Sequence, residues 1–573
     1  MRKLHVLGYS LLLLFLCFCS QPDRVPDEVR VRLAGEPETL NPVSYNTAGS
    51  LQVINLLFQS LMTVDLADDQ IKPALAMAQP DIVQRDSLTY ISYLLRQEAE
   101  WTNGSPVTAA DVAFTLKVLK APLLNNEQMK PQVAFIRDIL IDKADYKKFT
   151  FVCEGYTPEM ELLTGDFFIL PAYLFDPEGK LEAFKVSDFA GDVSALESNK
   201  DLQNFAARYN SADYARNKNL LQGSGGYILS EWVPGQYLTL KRKDDWWGNH
   251  VDDNTQALTA NPQQISFQII PDNTTALLAL RNRQLDVLEN IQAAEFNQLK
   301  SDKSFTENYA LYTPDSYQFA YIGLNSRLPK LSDKRTRQAI ANLLDISSFI
   351  KVSQQSYATP TVGPVPPAIK PYYNNKLKPY TYNLQKATAL LQAAGWQQKT
   401  DGWFKNINGK EQQLTLELSY RAGNTVFESA ALIFQQGAAK AGIPVTVQAQ
   451  EGSLFSQKAK AHEFDMFFRS LSGNPFVFNF KPLFYTSYAN DGPNYTGFGT
   501  QESDNILDAY NEAEEESDKA RLLKRLQEIL HEEATFIALY YQKDRLAVHR
   551  RFGNLKISGL EPNYDVSSFT LKE

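Results

Sequence analysis

Cysteine is nearly absent from this chain. Three occur in 573 residues, Cys17, Cys19 and Cys153. Two of them fall within the first 19 positions, so the body of the chain holds itself together by its core and not by disulfides. Histidine is almost as sparse, and His5, His250, His462, His531 and His549 stand far apart, without the spacing of metal ligands. An excess of positive charge is missing too: Lys and Arg number 57 against 66 Asp and Glu, a net charge of −9, which leaves no basic field to condense on phosphates and excludes nucleic acid as a partner. Catalytic signatures are equally thin. There is no G-x-S-x-G elbow and no Walker loop, and His531-Glu532-Glu533 lacks a second histidine one turn on. Gly223-Ser224-Gly225 and Gly497-Phe498-Gly499 lack the third glycine of a dinucleotide loop. Asp244-Asp245 and Asp252-Asp253 are adjacent acids that point to opposite sides of an extended chain, unlike a facing carboxylate pair. No apolar run beyond the first 19 residues could span the roughly 30 Å of a bilayer core.

What is present reads as a large exported α/β protein. Hydrophobic residues make up 44% and charged residues 21%, a balance that buries cores, and the length fits about three to five domain-sized units. Aromatics reach 12%, which suits wide clefts and large cores equally. Arg2 and Lys3 precede the short apolar run Leu11 to Leu16, an export signal, and Cys19 is the candidate acylated residue, followed by the polar tether Ser20-Gln21-Pro22-Asp23. Phe18 stands where a small residue is usually cleaved, so an ordinary leader is the alternative. Loss of residues 1–18 moves the net charge from −9 to −11. Strand-like and helix-like segments alternate without a repeat of 20–50 residues, which excludes a solenoid or propeller. Val29 to Leu33 alternates like a strand, and Glu36-Pro37-Glu38-Thr39-Leu40-Asn41-Pro42 breaks it. Thr108 offers an N-cap with Asp111 as its box partner. Residues 178–221 read as a polar surface insertion. Gly363-Pro364-Val365-Pro366-Pro367 cannot enter a central strand. Ser517 to Glu533 forms a charged helix ahead of the apolar strand Phe536 to Tyr541.

In order along the chain, these segments resemble family 5 of the bacterial extracellular solute-binding proteins, the peptide-binding group that serves ABC importers. The match runs from about Val29 to Tyr541. It includes the Glu36 to Pro42 turn and the block Trp101-Thr102-Asn103-Gly104-Ser105-Pro106-Val107-Thr108-Ala109-Ala110-Asp111-Val112. Gly223-Ser224-Gly225-Gly226-Tyr227 with Trp232, Leu240, Trp246 and Trp247 comes next, then Leu285-Asp286, Gly323-Leu324-Asn325, and Arg337-Gln338-Ala339-Ile340 with Asp345. Leu390 to Trp396 and Ala441-Gly442-Ile443-Pro444-Val445 complete the series. The resemblance implies a type II periplasmic-binding-protein clamshell, α/β, with an extra domain inserted in the first lobe. After a leader over 1–19, residues 29–72, 191–312 and 539–573 would form lobe I, 73–190 the extra domain, and 313–538 lobe II. It also implies a monomer, lipid-anchored and facing the periplasm or cell exterior, that takes a small-molecule or peptide ligand to an ABC permease without catalysis, metal or cofactor. A secreted hydrolase of glycans or peptides, and a lipoprotein reporting to a sensor, stand as alternatives.

Peptide-binding relatives place an aspartate in lobe II against the ligand's α-ammonium group. In Phe464-Asp465-Met466-Phe467-Phe468-Arg469-Ser470-Leu471-Ser472-Gly473-Asn474-Pro475, alignment from Asp465 puts Asn474 at that position and alignment on Pro475 puts Leu471 there. Neither is an acid, and Met466 through Asn490 contains none, while Arg469 and Lys481 are present. An ammonium buried without a carboxylate loses several kcal/mol in desolvation, at least roughly, so a blocked peptide, a sugar oligomer or an anionic ligand stays open. The candidate lining residues are Glu36, Thr39 and Asn41, beside Leu40, in the first loop, Tyr321 and Asn325 near the hinge strand, Arg469 and Asn474, and Tyr495 and Phe498 in the Gly-rich stretch. Each has a structural alternative: a turn, hinge packing, a solvent-facing arginine, or core. Trp246, Trp247 and Trp403 are candidate cleft aromatics with the same alternative.

Overall fold

The computed structural model describes residues 27–253, 255–513 and 515–572. The candidate acylated Cys19 and the expected export signal lie outside them. Alternation in the strand Glu28–Leu33 buries Val29, Val31 and Leu33 in the largest core and turns Arg30 and Arg32 to the other face. That second face is not solvent. Arg30 donates to Asp286 from Nε and Nη2 at 3.0 and 3.1 Å, and Arg551 reaches the same carboxylate from Nε and Nη2 at 3.1 and 2.8 Å. Burial pushes the Asp286 carboxyl up, but its hydrogen bonds and the charges of the two guanidinium groups outweigh that and hold it below its usual range. Arg32 instead donates to the carbonyls of Ile270 and Pro271.

Around this strand stands a seven-stranded mixed sheet in the order Tyr309–Tyr312, Leu546–His549, Val287–Leu288, Glu28–Leu33, Gln264–Ile269, Tyr237–Arg242, Tyr227–Val233. Glu28–Leu33 runs parallel to Gln264–Ile269, and the hairpin partners are antiparallel. A four-stranded antiparallel sheet, Asp81–Arg85, Leu88–Leu94, Lys148–Glu154 and Ile136–Ile141, shares its core, with Ile91, Phe149 and Phe151 in one cluster with Leu240 and Phe267. The helix Ala109–Lys120 packs there. Its start is as the sequence predicts: the Asp111 carboxylate accepts from the N–H and hydroxyl of Thr108, both at 2.8 Å.

The second large body is a six-stranded sheet in the order Ala358–Pro360, Phe536–Lys543, Asp315–Leu324, Met466–Ser472, Leu416–Arg421, Val445–Gln450. It separates two cores. Ile322, Phe468 and Ile537 lie on one face, and Tyr321, Phe467 and Phe536 on the other. A strand buried on both sides must be apolar without interruption, and Phe536-Ile537-Ala538-Leu539-Tyr540-Tyr541 is. The expected division at 538/539 falls inside this strand, which stays in the six-stranded sheet to Lys543 before the chain crosses over.

Residues 178–221 differ from the surface insertion expected of them. Leu202, Phe205, Ala206 and Tyr209 recur at helical spacing in Lys200–Tyr209 and are buried, and Tyr209 stacks between Phe205 and Tyr214 with ring centres 5.6 Å apart on each side. The polar and charged residues of the segment masked an amphipathic helix. Val365 of the proline-rich stretch is buried over the second body, and the Tyr541 hydroxyl donates to the Pro364 carbonyl.

Candidate functional site

The chain passes between the two bodies twice, at residues 313–314 and 544–545, each time directly from a strand of one sheet into a strand of the other. The crossings are tied side by side: Asp544 N–H donates to the Pro314 carbonyl at 3.0 Å, and Lys543 pairs with Asp315 at 2.7 Å. Arg545 donates to the Ile291 carbonyl at 2.7 Å, and Tyr317 donates its hydroxyl to Asp69 at 2.8 Å. Gly559 packs so closely here that a Cβ would stand 1.8 Å from the Asp315 carbonyl oxygen. This is a two-stranded hinge.

Beside the hinge lies a cavity of about 280 Å³. Its walls come from the first body: the helix Ala48–Leu57 and the turn after it, Gly225 and Gly226, Trp246, and residues 560–567. A Cβ on Gly225 would lie 2.5 Å from the Leu56 carbonyl oxygen, so only glycine lets these two pieces of wall meet. Gln52 donates to the Tyr564 hydroxyl at 2.6 Å and fixes helix to tail. Asp166 and Phe168 enter from the side of the four-stranded sheet, and Phe476 reaches across from the second body.

Carboxylates set the electrostatics. Asp166 lines this cavity and is exposed, and desolvation by the protein around it pushes its pKa up to about 7. Asp565 is pushed up to about 6 by burial, against the opposing Ser567 hydrogen bonds and the Lys556 charge. Glu289 near the hinge rises to about 8, first through burial and then through the charges of Glu561 and Asp544, with Arg32 opposing. Among the described residues no three His, Cys, Asp or Glu converge in a way that could hold a metal ion. His462 meets the carbonyls of Tyr495 and Ala489, and His531 meets that of Lys378 and stacks on Tyr380.

Most residues expected at the cleft are engaged inside the fold. Glu36 accepts from Trp232 Nε1 and the Gly235 N–H at 3.1 and 3.0 Å and pairs with Arg216 at 3.4 Å. Thr39 accepts from the Asn41 N–H, and Asn41 accepts from Val43 N–H and the Tyr209 hydroxyl, both at 3.0 Å, with Leu40 fully buried. Asn325 donates to the carbonyls of His462 and Phe464 and clamps a loop. Tyr321 is buried against Phe536, 4.2 Å between ring centres, and its hydroxyl is pushed up to about 12 by burial despite nearby Arg469. Phe498 is core of the second body. Trp403 is also core and donates to the Ala441 carbonyl. Trp246 and Trp247 both donate to the Ser224 carbonyl, and Trp246 lines the cavity as well.

Arg469 and Tyr495 come together beside Tyr321. The Arg469 guanidinium lies 4.9 Å over the Tyr495 ring, and its Nη1 is buried with no hydrogen-bond partner. Asn474 acts indirectly: its Oδ1 accepts from the N–H groups of Phe476 and Val477 at 2.8 and 2.9 Å, and this turn presents Phe476 to the cavity. Phe476, Asp166 and Asp565 were not among the expected residues. The Asn474-Pro475 turn is the one local signal that could have pointed to Phe476, and the two acids have none.

A family model, "Bacterial extracellular solute-binding proteins, family 5 Middle", matches residues 70–494. The chain belongs to that family. Family 5 relatives include the oligopeptide-binding protein AppA of Bacillus subtilis, 23% identical over 94% of this chain and 90% of that protein. The nickel-binding periplasmic protein of Escherichia coli is also 23% identical, over 92% of each chain. The solved structure of the Bacillus subtilis protein in complex with a nonapeptide superposes with a TM-score of 0.64 at 21% identity, covering 95% of this chain and 99% of that one. The two-lobed type II fold is therefore that of this chain, and the family is one of extracellular binding proteins. Among the described residues no helix is long and apolar enough to cross a membrane.

Proposed function

We propose that this protein is an exported receptor that captures an oligopeptide between its two lobes and delivers it to the permease of an ABC importer. It acts as a monomer, held to a membrane by an acylated Cys19, and without a chemical step. The observation that carries this reading is the pairing of a two-crossing hinge with a cavity walled by one lobe and closed by Phe476 of the other. A ligand touching both halves favours the closed arrangement by its extra contacts there, and closure is what a permease can read. The peptide class rests on the names of relatives and the nonapeptide held by one of them. In this reading lobe I is built on the seven-stranded sheet with the four-stranded sheet as its extra domain, and lobe II on the six-stranded sheet. Arg469 with Tyr495, and Phe476 on the Asn474 turn, are the lobe II contacts.

The test is native mass spectrometry of gently purified protein, followed by a thermal-shift screen of di- to hexapeptides with chromatography of the mixture. A co-purifying small molecule, or a melting point raised by several degrees with the peptide recovered intact, is the expected result. Cleaved peptide would point to a hydrolase and overturn the reading. Radiolabelled palmitate incorporation should be lost in Cys19→Ser, and label that persists would place the anchor at another residue.

A further inference from the structure

The carboxylates that line the cavity are Asp166, Glu561 and Asp565, with no lysine, arginine or histidine among its described lining residues. Two residues of its wall, Asp565 and Gln59, each hold a buried acceptor without a donor. Asp565, 4% exposed, has Oδ1 engaged by the N–H and hydroxyl of Ser567, while Oδ2 has no partner. Gln59, 6% exposed, donates Nε2 to the Ala257 carbonyl at 2.7 Å, and its Oε1 has no partner. Buried oxygens in a folded protein are matched to donors, so each of these awaits one. Lys556, whose charge reaches Asp565, is already paired with Asp65 at 3.5 Å. The faces of Trp246, Tyr227 and Tyr564 are of the kind that attract a positive group. An ammonium or guanidinium group carries the N–H donors that both acceptors lack.

We propose that this cavity is a cation subsite in lobe I, where Asp565 and Gln59 receive an ammonium or guanidinium group of the ligand and Asp166 and Glu561 supply the field around it. The inference rests on the receptor reading above and names the ligands it takes: those carrying positive charge. It also gives the ligand's cation a carboxylate on the opposite lobe from the stretch Met466 to Asn490, which has none. A basic side chain and a free amino terminus offer the same chemistry, and the probes separate them.

Isothermal titration with Ala-Lys-Ala, its N-acetylated form, Ala-norleucine-Ala and N-acetyl-Ala-norleucine-Ala, with spermidine alongside, tests this in the full chain. Each cation-bearing peptide is expected to bind at least about tenfold more tightly than the blocked norleucine peptide. Asp565→Asn should bring the difference within about threefold. Should Asp565→Asn fail to fold, the double variant Asp166→Asn with Glu561→Gln, whose side chains are exposed in the cavity, should lower the preference in the same direction. The stronger of the two singly charged arms identifies a side-chain or terminal source. Equal affinity for charged and blocked peptides would overturn the subsite while leaving peptide capture standing. Spermidine binding with no peptide binding would keep the subsite and overturn the peptide reading, and silence from every probe would overturn both.

Discussion

Asp286 shows how one residue can organise a lobe. It is 0% exposed and held between Arg30 and Arg551, so the strand Glu28–Leu33 and the tail of the chain meet on a single carboxylate. Asp286→Ala leaves two guanidinium groups facing each other without an acid, and should lower stability to urea by about 3–5 kcal/mol. Glu289 lies close by with the opposite bias. Its carboxyl, facing Glu561, Asp544, Tyr564 and Arg32, rises to about 8 in the folded protein against an ordinary 4.5. The folded state then binds this proton more tightly than the unfolded one, so its contribution is fully present below about pH 4.5 and is lost as pH climbs through 8. Melting curves from pH 5 to 9 should show the wild type falling relative to Glu289→Gln, the gap widening up to about pH 8. A constant gap would place the shift elsewhere. Single residues were also where sequence reading reached least far. Glu36 stands in a loop that reads either as a ligand contact or as a structural turn, and its partners Arg216 and Trp232 lie 180 and 196 positions away. No window along the chain could show that the carboxylate is already occupied.

Elements were far more legible, because their signals are local. The alternation of Val29 to Leu33, the Thr108 and Asp111 box and the unbroken apolar run from Phe536 each depend on neighbours a few residues apart, and each became the expected element. The segment 178–221 was misread for the complementary reason: its apolar positions, spaced three and four apart, were outvoted by composition. The turn at Asn474 combines both lessons. Its residue type marks a turn, but only the fold shows that the turn carries Phe476 to the other lobe's cavity. Asn474→Ala removes the acceptor for two N–H groups and should cost about 1 kcal/mol of local order. The readout is faster amide exchange confined to the segment around Phe476, with the melting point moved little. Global loss of protection would mean that the turn supports the whole lobe.

At the scale of the molecule, the hinge decides behaviour. Its crossings are short, continuous with strands, and cross-linked by Asp544 with Pro314 and by Lys543 with Asp315. Such a joint permits rotation about one axis and resists sliding. Gly559 sits against it with no room for a methyl group. Gly559→Ala should force the backbone apart there, lowering stability by about 1–3 kcal/mol. It should also change the radius of gyration measured by small-angle scattering without ligand. An unchanged scattering curve together with an unchanged melting point would show that the contact is slack.

The same crossings set the order in which the molecule can assemble. The strand that completes the six-stranded sheet begins at Phe536, and the one that joins both wings of the seven-stranded sheet begins at Leu546. Neither half can finish until nearly the entire polypeptide has been synthesised, and pairings between such distant stretches form slowly. A chain built this way keeps both of its large sheets incomplete until its last strands arrive.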